Sequence, residues 1–159
     1  MRDLSKKRWW NYLDKDLQEL LVQTENLIQE HELNSNKFLD YSFVVFPAAK
    51  AYEGYLKKLF FDLNLVTKEQ YYSRNFRIGK SLNPFLPKEW EDESVYKKII
   101  EKIGSSELPD KLWDVWKLSR NSTFHWFPEE KNAISYEEAK KRFDLVVLAI
   151  DISYNGLKE

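Results

Sequence analysis

Residues 40–64 read DYSFVVFPAAKAYEGYLKKLFFDLN, and the reading of this stretch decides the fold. Phe43, Val44, Ala48, Tyr52, Tyr55, Leu56, Leu59, Phe60 and Leu63 fall at helical spacing and cover much of the circumference. A helix that is apolar over most of its surface must be buried among other helices, so this segment predicts the central member of a bundle. Pro47 has no N–H to donate, and it therefore sits in the first turns of that helix or kinks it.

Toward the N-terminus, from about Asp3 to His31, Leu13, Leu17, Leu20, Thr24 and Leu27 repeat by four and three. They form one narrow apolar stripe on a long first helix, and Asn34-Ser35-Asn36 marks the turn after it. Toward the C-terminus, Thr67 to Tyr72 predicts a short helix, and Ser73 to Glu91, with Pro84 and Pro87, an irregular connection. A third main helix is expected from about Glu93 to Ile103, stopped by Gly104. Pro109 and Asp110 start a fourth that carries Leu112, Trp113, Val115, Trp116 and Leu118, and Pro128 ends the region beyond it. Ser135-Tyr136-Glu137-Glu138 has the capping-box pattern. The last helix then runs to about Tyr154 and buries Phe143, Val146, Val147, Ile150 and Tyr154. The expected fold is all-α, an up-and-down bundle of four to five main helices. With no repeat, low-complexity tract or linker, residues 1–159 read as one domain.

Composition narrows the function classes. Four glycines and five prolines in 159 residues leave too few turns for a β-sandwich or barrel. The absence of cysteine excludes disulfides, thiolate metal sites and a cysteine nucleophile, and it suits a reducing compartment. Residues 1–11 are basic without the apolar run of a leader peptide. No stretch approaches the roughly 20 apolar residues that span a bilayer, so a cytoplasmic protein with no membrane partner is expected. Basic and acidic residues nearly balance, 25 against 26, so any grip on nucleic acid must come from local clusters. Two such clusters stand out: Arg74, Arg77 and Lys80, and Lys117 with Arg120.

Of the two histidines, His31 sits between Glu30 and Glu32 with no partner pattern and reads as a plain helix-end residue. His125 lies five residues after Arg120, which Asn121 follows directly. The segment Arg120-Asn121-Ser122-Thr123-Phe124-His125 resembles the Arg-polar-x-x-x-His signature of the HEPN superfamily of helical ribonuclease domains. Lys50-Ala51-Tyr52-Glu53 places a cation and a carboxylate three residues apart on the central helix. Within the superfamily, this resembles the basic-x-x-Glu helix in the catalytic domain of RNase LS-type toxins. The resemblance runs from about residue 40 to 155. Those toxins carry arginine where this chain has Lys50, and they have further N-terminal domains with no counterpart in these residues.

These residue types support RNA scission by the neighbouring 2′-hydroxyl. Histidine moves protons near neutral pH, which gives His125 the proton-transfer role. Arg120 can hold the phosphate and the charge that develops on it through its guanidinium fork. Asn121 can orient His125 or bond a phosphate oxygen, Glu53 can align Arg120 or His125, and Lys50 can add a phosphate contact. RNA carries its own nucleophile, and no His, Asp and Glu cluster has metal-ligand spacing, so neither metal nor cofactor is expected. The resemblance further implies a homodimer with two facing copies of the motif, and a toxin or defence effector restrained by an antitoxin or regulatory protein.

Simpler roles compete with each of these. Arg120 can merely neutralise a helix C-terminus, and Lys50 with Glu53 can be an ordinary helical pair worth about 0.2–0.5 kcal/mol. Trp126 and Phe127 can stack on a base, but in a chain whose residues are 16% aromatic, core packing is the more ordinary role. A non-catalytic HEPN-like module that binds RNA or protein is the alternative function. A structural adaptor docking through the leucine stripe is a third. Convergence of Arg120, His125 and Glu53 is the geometry that separates the enzyme from the adaptor.

Overall fold

A computed structural model of the chain describes residues 2–34 and 37–158. Among these residues every regular element is helical. The helices are α1 (Lys15–Asn34), α2 (Ser42–Asp62), α3 (Lys68–Tyr72), α4 (Ile78–Ser81), α5 (Val95–Ile103), α6 (Glu107–Trp116) and α7 (Tyr136–Leu157). None of them is long and apolar enough to cross a membrane.

The central position expected for residues 40–64 belongs to α2. Val44, Val45, Ala48, Ala51, Tyr52, Tyr55, Leu56, Leu59 and Phe60 are all fully buried. Pro47 lies inside the helix near its start, where its missing N–H costs little. Cross-helix pairs give the directions of the long elements. Lys58 pairs with Asp14 at 3.2 Å, while His31 packs edge-on against Tyr41, so α1 and α2 are antiparallel. The Tyr55 hydroxyl bonds Ser153 Oγ at 2.8 Å, and Tyr41 N donates to Ile134 O at 3.0 Å, so α2 and α7 run the same way. Burial, against the pull of the Ser153 hydrogen bond, lifts the Tyr55 hydroxyl above the ordinary phenol range and keeps it neutral. Tyr52 donates to Leu112 O at 3.1 Å and ties α6 to the same central helix.

Three expectations need correction. The first helix begins at Lys15, not near Asp3: residues 4–6 and 10–12 form separate 3₁₀ turns, with extended backbone at Lys7 and Leu13. The cause is tertiary. Trp9 is fully buried and its indole N–H donates to Asp151 on α7 at 2.9 Å, an anchor that outweighs local helix propensity. The connection from Ser73 to Glu91 contains the single turn α4 and most of a 3₁₀ stretch at Lys88–Glu93. His31 is no plain helix-end residue, because its ring packs at a tilt 4.0 Å from the Tyr136 ring and edge-on 5.0 Å from Tyr41. α1 ends at Asn34, while Ser35 and Asn36 of the expected turn lie outside the described residues.

The caps follow the sequence closely. Thr67 and Gln70 form a reciprocal capping box at α3, and Gly104 closes α5 with φ +72°. At α7, Ser135 accepts the Glu138 N–H, but the Glu138 carboxylate turns to Arg142 Nε at 3.0 Å.

Candidate functional site

α6 does not simply end at Trp116. The chain continues through a π-helical turn at Lys117–Asn121, closed by Ser122 N donating to Lys117 O at 2.9 Å. A π turn inserts one extra residue per turn and rotates the side chains that follow, and such turns are frequent at functional sites. Here the rotated segment carries Arg120 and Asn121.

A buried arginine braces this turn. Arg142 of α7 is only 9% exposed. It donates from one Nη to Leu118 O at 2.9 Å and to Thr123 Oγ1 at 2.7 Å, and from Nε to Glu138. Thr123 in turn donates to Leu118 O at 2.8 Å. A guanidinium removed from water must have its donors met by well-placed acceptors, so the network fixes the backbone on both sides of Arg120. The apolar periodicity of α7 gave no sign of Arg142, and only its i, i+4 spacing from Glu138 hinted at a partner.

On the outer side, Arg120 Nε lies 3.7 Å from Glu53 Oε2, and its guanidinium sits 5.5 Å from the Trp116 ring centroid. Lys57 shares the Glu53 carboxylate at 3.5 Å. Lys50 shares the helix face with Glu53 but makes no ion pair with it among the described residues. Its ammonium instead approaches the Phe46 ring at 6.0 Å.

His125 belongs to the exposed loop after the π turn. Its Nε2 lies 3.3 Å from Asn121 Oδ1, and with the proton on Nε2 this contact leaves Nδ1 free as a base. Asn132 holds the loop together: its Nδ2 donates to His125 O and to Ser122 O, while its Oδ1 accepts Phe127 N at 3.2 Å. Nothing in the sequence pattern singled out Asn132. Arg120 thus joins Glu53, and Asn121 joins His125, but no hydrogen bond or ion pair links His125 to Arg120 or Glu53 among the described residues. Among the described residues, no three His, Asp or Glu side chains gather in a way that could hold a metal ion.

The remaining candidates divide. Arg74 and Arg77 are exposed, and Arg77 donates to Arg74 O at 2.5 Å. Lys80 is engaged elsewhere, paired with Glu93 at 2.9 Å and lying 3.3 Å from the Trp90 ring centroid. The basic loop still reaches the site, because Gly79 packs against the Trp116 indole on which Arg120 rests. A Cβ at Gly79 would stand 2.7 Å from Trp116 Nε1, so only glycine permits this approach. Lys117 is exposed on the π turn itself. Core packing for Trp126 and Phe127 is corrected: they are 69% and 47% exposed, carried outward by the loop that Asn132 closes.

Comparisons with protein-family models, characterised proteins and solved structures found no match to this chain.

Proposed function

We propose that the chain is a HEPN-type endoribonuclease that cleaves RNA through the 2′-hydroxyl, without a metal. The observation that carries this reading is the pairing of Glu53 with Arg120 and of Asn121 with His125 on the braced π turn. His125 takes the proton from the 2′-hydroxyl as its oxygen attacks the adjacent phosphorus. Arg120 binds the phosphate oxygens and stabilises the extra negative charge in the transition state, and Glu53 steers the guanidinium. The P–O5′ bond breaks, leaving a 2′,3′-cyclic phosphate upstream, and the departing 5′-oxygen takes a proton to become a hydroxyl.

One protomer supplies one histidine, while the reaction moves two protons. A homodimer with facing motifs provides the second His125 and a second Arg120. An aliphatic groove between α6 and α7, about 260 Å³ in volume and lined by Val115, Leu118, Leu145, Leu148 and Ile152, supports this arrangement. A toxin or defence role, with a restraining protein partner, rests on the resemblance of the motifs alone.

The test is incubation of the purified protein with mixed RNA in EDTA, followed by analysis of product ends. Cyclic phosphate upstream and 5′-hydroxyl downstream are expected, with specific activity falling on dilution below the dimer dissociation constant. Strict dependence on Mg²⁺ or 3′-hydroxyl upstream ends would defeat the mechanism. Activity unchanged on dilution in a sedimenting monomer would defeat only the composite site.

A further inference from the structure

Most of α2 is buried, but one stripe is not. Phe43, Phe46 and Lys50 are exposed, and Glu53 and Lys57 continue the line half-buried. The spacing of three, four, three and four residues keeps them on one face. Phe43 and Phe46 are 43% and 49% exposed. At the site end, the Phe46 ring meets Phe124 edge-on at 5.1 Å, and Phe124 directly precedes His125. At the far end Phe43 meets Phe38, itself 52% exposed, at 5.2 Å.

We infer that this stripe is a binding platform for single-stranded RNA, whose unpaired bases stack on Phe46 and Phe43 while Lys50 and Arg120 hold the phosphates. The inference rests on the ribonuclease reading for its strand chemistry, though not for the binding itself. Two features favour a nucleic acid over a protein partner. The exposed apolar side chains of the α2 stripe, Phe43 and Phe46, are aromatic, whereas the groove between α6 and α7 is aliphatic, and bases stack on rings rather than on leucines. The charge is also complementary to phosphate. Lys50, Lys57 and Arg120 border the site end of the stripe, where the Glu53 carboxylate is already shared by Lys57 and Arg120; at the far end Glu30 lies beside Phe38 and Phe43, so the phosphate-binding charge is concentrated near Phe46. A duplex buries its base faces in the stack, so it cannot use the platform without unpairing.

The experiment separates binding from cleavage. A 2′-O-methyl RNA 12-mer containing 2-aminopurine has no attacking hydroxyl and reports stacking by fluorescence quenching. Full-length protein is expected to bind and quench this single strand, and to bind the same strand annealed to its complement at least about tenfold more weakly. Phe46→Ala should weaken single-strand binding about tenfold with unchanged thermal melting, and Phe46→Tyr should restore it. Failure of the wild-type protein to bind, equal affinity for duplex, or full affinity in Phe46→Ala would each overturn the platform. So would a Phe46→Ala protein that sediments as a smaller species with RNA affinity per protomer intact, since the face would then belong to a second copy. If the methylated strand binds as described while unmodified RNA survives intact, the platform stands and the nuclease reading falls. If RNA is cleaved with full affinity in Phe46→Ala, the reverse holds.

Discussion

The two halves of the candidate site are built in opposite ways. Arg120 rides on a π turn locked to α7 by the buried Arg142, with Thr123 and Leu118 O completing the network. His125, in the following loop, is exposed and held by two asparagines, Asn121 at its ring and Asn132 at its backbone. The first half resists displacement because moving it would strand a charged group away from water. The second exchanges its hydrogen bonds with water at little cost. The difference would suit the proposed chemistry. A phosphate-binding cation works best when fixed before the charge develops, whereas a proton-transfer group must meet a substrate proton whose position varies.

The largest effect expected from breaking this arrangement falls on activity alone. His125→Ala should reduce RNA cleavage at least about a hundredfold while leaving the melting temperature within about 1 °C, because the ring is exposed and, among the described residues, its side-chain hydrogen bond is to an exposed asparagine. Cleavage assays beside thermal melting check both parts, and wild-type rates in the variant would remove His125 from the mechanism. Arg142→Leu should act on both properties at once. Losing hydrogen bonds to a charged donor costs about 2 kcal/mol, or roughly 5 °C in a chain of this size, and cleavage should fall about tenfold as the turn loosens. Arg142→Lys, which keeps the charge but not the fork, should fall between the two. A variant with lowered stability but unchanged cleavage would show that the brace supports the fold without positioning Arg120.

The same contrast explains what the sequence could and could not reveal. α2 was legible because burial over most of its surface writes an apolar pattern that few other settings produce, although that pattern did not reveal the exposed stripe at Phe43 and Phe46. Gly104, Thr67 and Ser135 were legible because caps need particular residues at particular places. The 3₁₀ turns before Lys15 were hidden, since they depend on Trp9 reaching Asp151, a contact 142 residues away in the chain. Arg120, Asn121 and His125 could be singled out by spacing, but their supports could not. Arg142 sits within an apolar helix stripe, and Asn132 is one polar residue among many in a loop. Their roles exist only once α7 and the loop are folded beside the π turn. The exposure of Trp126 and Phe127 was missed for a related reason: their place follows from how Asn132 closes the loop, and apolarity alone does not encode it.

The smallest effect falls where Arg120 meets α2. At 3.7 Å, Glu53 lies beyond ordinary hydrogen-bond length from Arg120 Nε, and it divides its charge with Lys57 at 3.5 Å. The Arg120 side chain is 43% exposed and that of Glu53 26%, so solvent screens the attraction. Such a pair is worth about 0.2–1 kcal/mol, which translates into no more than about a fivefold change in rate. Glu53→Gln should therefore slow cleavage about threefold, with little change in melting temperature. Lys57→Ala should move the rate slightly the other way, since it frees the carboxylate for Arg120 alone. The combined variant should match Glu53→Gln, because without the carboxylate charge Lys57 has nothing left to compete for. A loss near a hundredfold in Glu53→Gln would instead give the carboxylate a direct part in proton transfer, and the site would then have a second proton-moving group on the rigid side.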